Sequence, residues 1–254
     1  MIWAVIAAAV LFVLVFPKYV LGPILVKRTN FQPANPRFEP IADDNLVRSV
    51  PSSFLQRAIE LQSLGFTLVD HYTMNRQLEN QTLVFSLYVN RATNDAAGVI
   101  FSVVFTDSSP TFSADFLEFS THFTDGFELD TNNISTPRIF YDSPTTRVYK
   151  IPHIRDSESL YRVHGYLVSR EKRRKAPLPP GGTEIDAVRE SSKASLQHQV
   201  VAGTFYLDPV RDRYCYTWKG AILTTWRLIW PFSAIIQRTE RRNGYRLARS
   251  AGLK

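Results

Sequence analysis

Apolar and polar positions divide the chain into three regimes. The first is a run from Ile2 to Phe16 without a charged or polar side chain, followed by Pro17, Lys18 and Tyr19. A second apolar stretch, Val20 to Val26, is closed by Lys27 and Arg28. As a helix, residues 2–26 would reach about 37 Å, enough to cross a ~30 Å hydrocarbon core with some tilt. The pattern predicts an N-terminal transmembrane helix over residues 1–28, bent or ended at Pro17 and Pro23. No basic residue precedes the run, and bulky Phe16, Pro17 and Tyr19 end it, so a cleaved signal peptide fits less well. Residues 29–51, with Pro33, Pro36, Pro40 and Pro51, show neither period and read as an extended linker.

The second regime alternates. Ser52 and Ser53 can cap a helix ending at Gly65. Leu83, Phe85, Leu87 and Val89 then share one face of a strand over 82–91, and Val99, Phe101, Val103 and Phe105 one over 99–106. Residues 92–98 join them as a hairpin loop. Further strands are predicted over 116–124, 127–131 and 147–151, with 66–72 at an edge.

The third regime is helical. Asp156-Ser157 caps a helix through Lys175, with Leu160, Val163, His164 and Leu167 on one stripe. The breaker APLPPGG follows, then a helix from Thr183 to about Phe205, a turn over 207–213 and an aromatic-basic end. The order predicts an α+β fold: the transmembrane helix, then an antiparallel sheet of about 4–6 strands packed by an N-terminal helix and two or three C-terminal helices. The domain organisation expected is an anchor (1–28), a linker (29–51), an α+β domain (52–213) and an amphipathic segment (214–254).

Charge sharpens the two ends. Between Lys219 and Lys254, eight basic residues stand against Glu240 alone, and together they carry the whole net charge of +7. If Trp218 to Trp230 is helical, Trp218, Trp226 and Trp230 fall within about 120° of one another. Indole rings beside guanidinium groups suit a bilayer interface with anionic headgroups. The expected membrane contacts are Trp3, Lys18, Tyr19, Lys27, Arg28, Trp218, Lys219, Trp226, Arg227, Trp230, Arg238, Arg241 and Arg242. The alternative is a C-terminal helix packed by its tryptophans with a solvated basic end. Lys18, Lys27, Arg28, Arg37 and Arg48 all follow the apolar run, which by the positive-inside rule places the domain in the cytoplasm.

Chemistry adds little. The single cysteine, Cys215, excludes an internal disulfide and a cysteine-based zinc site. Nucleotide-loop, nucleophile-elbow and zinc-protease motifs are absent, and no cofactor is expected. Glu128, Asp130, Asn132 and Asn133 look superficially like a calcium loop but lack its glycine and terminal glutamate, so they read as a turn. The basic run Arg170, Lys172, Arg173, Arg174 and Lys175 suits a solvated helix C-terminus. The function expected is a membrane-tethered, non-catalytic interaction or accessory domain, its partners a bilayer, anionic headgroups and a membrane protein, and not nucleic acid. Alternatives are a domain binding a lipid or apolar ligand between sheet and helices, or a membrane-bound hydrolase or transferase with a cleft gathering His122, Asp125 and His153.

Overall fold

The structure, a computed structural model, describes residues 2–41, 52–78, 81–105 and 110–253. Linker residues 42–51, Thr106 of the second predicted strand and Lys254 lie outside them. Among the described residues the fold is α+β, with a seven-stranded mixed sheet, a three-stranded sheet and six helices. The chain divides into two compact units. Unit 1 comprises residues 1–35, 136–141 and 196–238; unit 2 comprises residues 36–135, 142–195 and 239–254.

Unit 1 opens with α1 (Ile2–Thr29), which runs through both Pro17 and Pro23 rather than ending at either. Its sheet has the order β1 (Phe31–Pro33), β10 (Arg213–Tyr216), β9 (Phe205–Asp208), all antiparallel. The expected linker thus supplies an edge strand. Pro33 is tolerated there because an edge leaves one side of the ladder unused. The expected turn over 207–213 is the tip of the β9–β10 hairpin, with Asp212 in the left-handed region. Phe205, Tyr214, Tyr216 and Ala221 form the core, joined by Val26, Phe140 and Val200. Thr217 caps α5 (Trp218–Leu228), its hydroxyl accepting from Gly220 N at 3.0 Å. A Cβ at Gly220 would lie 2.1 Å from the Thr204 carbonyl oxygen, a backbone atom that cannot swing aside. Gly220→Ala should therefore destabilise unit 1 by about 1–3 kcal/mol, read as an earlier midpoint in urea denaturation followed by tryptophan fluorescence.

Unit 2 is built on the sheet β2-β3-β4-β5-β6-β7-β8. Its strands are β2 (Phe38–Pro40), β3 (Thr67–Leu78), β4 (Gln81–Asn90), β5 (Asp95–Phe105), β6 (Pro110–His122), β7 (Glu128–Asn132) and β8 (Thr146–Lys150). All neighbours are antiparallel except β7 and β8, which are parallel. The sheet is therefore larger than expected, and mixed. One face takes α2 (Ser52–Ser63) and α3 (Ser157–Arg170), whose Phe54, Leu61, Leu160, Val163 and Leu167 pack on Phe66, Phe101, Leu117, Phe119 and Leu129. Asp156 caps α3 as its sequence implies, accepting from Ser159 N at 2.7 Å. The helix stops at Arg170, so Lys172 to Lys175 lie beyond its dipole. On the other face Phe38, Tyr72 and Leu87 meet Ile185 and Val188 of α4 (Glu184–Val201). The last helix, α6 (Phe232–Ser250), brings Gly244 against His153.

A polar centre crosses the first face. Asp95 accepts from Thr121 Oγ1 (2.5 Å), Tyr161 OH (2.8 Å) and Lys175 Nζ (2.6 Å), while His164 bridges Thr121 (2.8 Å) and Thr131 (3.0 Å). Asp95, Thr121, Thr131 and His164 are buried.

The expected transmembrane helix is corrected. Among the described residues no helix is long and apolar enough to cross a membrane. The apolar stretch following Phe16 meets protein instead: Tyr19, Gly22, Val26 and Lys27 of α1 contact residues of unit 1. The single-pass placement with a cytoplasmic domain depended on a crossing helix and falls with it.

Candidate functional site

The residues expected to touch a membrane are found mostly in unit 1, where α1 and α5 pack antiparallel. Lys27 donates to the Tyr216 carbonyl at 3.0 Å, at the start of α5. One to two turns back along α1, Gly22 approaches Thr225 so closely that a Cβ would lie 2.5 Å from its Cγ2. Further back, Tyr19 meets the Trp226 ring edge-on at 6.4 Å and donates to the Trp230 carbonyl. Small side chains at the crossing let the two backbones come near. The aromatic residues then clamp its far end.

Between Lys18 and Arg28, one side of α1 is thereby used and the other is exposed. Val20, Leu21 and Leu25 of α1 are exposed, as are Trp218, Trp226 and Leu228 of α5. Trp230, 69% exposed, and Phe232 continue the series, the latter stacked on Trp226 at 6.0 Å. Trp3 is exposed as well. Isolated exposed leucines are ordinary, but so many large apolar side chains exposed on and beside two packed helices are not.

The cations sort into two groups. Lys18 and Arg28 are exposed on α1, and Arg238 near the end of the unit 1 portion of α6. Lys27, Lys219 and Arg227 are engaged by the protein. Lys27 lies over the Tyr206 and Trp218 rings at 5.2 and 5.4 Å, besides its hydrogen bond. Lys219 donates to the Ala202 carbonyl at 2.8 Å and Arg227 to that of Ile139 at 2.8 Å, both over the Tyr141 ring. Sequence spacing expected all of these as headgroup contacts; the second group is tied by these bonds to the body of unit 1. Arg241 and Arg242 are exposed on the part of α6 that belongs to unit 2.

The residues considered for a catalytic cleft are not gathered. His122 faces Glu128 at 3.3 Å, Asp125 pairs with Arg173, and His153 stacks on Tyr245 at 3.9 Å. Among the described residues no three His, Cys, Asp or Glu side chains are grouped to hold a metal ion. The strand expected over 127–131 is β7, so Glu128, Asp130 and Asn132 lie on the sheet and not in the turn also considered for them with Asn133. No protein-family model matches the chain, and no curated protein or solved structure is similar to it.

Proposed function

We propose that the chain is a non-catalytic accessory module whose unit 1 rests on an anionic bilayer surface through the exposed side of the α1–α5 pair. The contact is from one side and needs no crossing helix. The observation that carries this reading is the set of exposed Trp226, Trp230, Phe232, Leu21 and Leu25, with Lys18 and Arg28 exposed on α1. Indole and phenyl rings enter the headgroup boundary, and the lysine and arginine pair with lipid phosphates. The sign of the charge selects an anionic surface over a zwitterionic one.

Cosedimentation of the full chain with vesicles tests this. Binding is expected to vesicles containing phosphatidylserine, to weaken as salt is raised, and to be far weaker on phosphatidylcholine alone. Trp230→Ala and Leu21→Glu should each lower the partition coefficient about tenfold, the worth of one half-buried apolar side chain. A chain that stays in the supernatant beside anionic vesicles at low salt would refute the proposal. So would variants that bind as the parent does.

A further inference from the structure

The face of the unit 2 sheet that meets α4 carries a row of acids. Register pairs Glu118 with Asn132, Ser120 with Asp130 and His122 with Glu128. These six side chains share one face, opposite Phe119, Thr121 and Leu129. Asn132 Nδ2 donates to Glu118 Oε2 at 2.7 Å, Ser120 stands opposite Asp130 in the register, and Ser191 of α4 donates to Glu128. Two acceptors are left over: Asp130 Oδ1 and Asn132 Oδ1 are buried with no hydrogen-bond partner among the described residues, in residues 8% and 4% exposed.

The surroundings do not supply the missing hydrogens. Lys150, opposite Asn132 on β8, is held 3.2 Å from Glu240 of α6. His122 is already against Glu128. α4 presents Ile185, Val188 and Ser191, none of them charged, and Glu184 at its start is paired with Arg91. Three carboxylates beside two orphaned acceptors amount to a shortage of protons. A hydrogen on Asp130 Oδ1 would neutralise the central acid and furnish a donor at once.

We infer that Asp130 is a carboxylic acid in the folded protein, and that its proton latches the first half of α4 to the sheet through Glu128 and Ser191. With the proton in place, Asp130 adds no charge beside Glu128, whose carboxylate accepts from Ser191, and the helix sits closed. Without it, Asp130 repels Glu128 and Glu118, and the Ser191 bond is strained from below. Burial, then the charges of Glu128 and Glu118, push the Asp130 pKa well above the ordinary carboxylate range. Burial and Glu128 also push Glu118 upward. A folded pKa above the unfolded one means that the folded state holds more protons above about pH 4, so the latch weakens as pH rises.

Hydrogen exchange of the full chain from pH 6 to pH 9, corrected for intrinsic rates, reads this directly. Protection of residues 184–195 should fall about tenfold or more, while α3 keeps its protection. Asp130→Asn, an isosteric neutral side chain, should hold protection level across the range and exceed the parent at pH 9. Ser191→Ala, which cuts the latch without touching the acids, should give low protection that no longer depends on pH. A level profile in the parent would overturn the inference. A parallel decline in Asp130→Asn, or an undiminished pH dependence in Ser191→Ala, would overturn it equally.

Discussion

Asp95→Ala is expected to lower the stability of unit 2 by about 3–5 kcal/mol, the usual cost of removing one partner from a buried ion pair. Asp95 stands at the start of β5, and its carboxylate is the acceptor on which three elements converge. Thr121 reaches it from β6, Tyr161 from α3 and Lys175 from the segment after α3. Burial alone would raise its pKa, but the bonds from Lys175 and Thr121 overcome that and hold it below the ordinary value. Alanine leaves the Thr121 and Tyr161 hydroxyls and the Lys175 ammonium without their acceptor. Lys175 also donates to the Thr93 carbonyl at 2.9 Å and is part-exposed, so it can turn toward water and soften the loss. Pairing the change with Lys175→Met should recover some of the stability, since no cation is then stranded. The units have separate probes: Trp3, Trp218, Trp226 and Trp230 all belong to unit 1, so fluorescence reports that unit. Far-UV circular dichroism with urea, compared with the fluorescence curve, isolates unit 2. A midpoint within error of the parent would remove Asp95 from its role.

How much of this could be read from residues alone depended on the range of the interaction. Val84, Leu87, Val99, Phe101, Leu117 and Phe119 declare their strands because alternation is local. Asp156 declares its helix because a cap needs only its own next turn. The missed strands are three or four residues long, too short for a period: β1 and β2 end in proline, and β9 and β10 flank a turn. The α1 error has a different origin. Its sequence is apolar over a long stretch, and nothing in it reveals that Gly22 and Tyr19 face a helix some 200 residues later. Candidate sites fared in the same way. Trp226 and Trp230 are exposed as amphipathic spacing suggests, whereas the engagement of Lys27, Lys219 and Arg227 by carbonyls required the fold. Asp95 read as part of a hairpin loop, since its partners lie 26 to 80 residues away. Glu118 and Asp130 are each unremarkable until β6 and β7 are set in register.

Acid should remove one stabilising contribution from unit 2, that of the neutral His164. The ring is fully buried, and its two nitrogens meet two threonines. Thr121 spends its hydrogen on Asp95, so its oxygen accepts from Nε2–H of the histidine. Nδ1 must then accept from the Thr131 hydroxyl. That arrangement is complete for a neutral imidazole. A second proton, on Nδ1, would point at Thr131 and force its hydroxyl to reverse. Burial drives the pKa down, Asp95 opposes it, Lys175 adds to it, and the result is about 4 against an ordinary 6.5. The folded state thus refuses a proton that the unfolded chain accepts. Its stabilising effect is complete above pH 6.5 and is lost as pH falls toward 4, about 3 kcal/mol in all. Asp130 and Glu118 act with the opposite sign over the same range, because their folded forms keep protons that the unfolded chain releases. The parent's own pH profile therefore mixes the two. His164→Asn separates them, since asparagine can still bond the threonines but does not titrate. Urea midpoints from pH 7.5 to pH 4 should show the parent losing about 3 kcal/mol more than the variant, with the difference confined to that window. Profiles that run parallel would mean that His164 takes up its second proton as readily in the folded core as in the unfolded chain, and the neutral ring assigned above would be wrong.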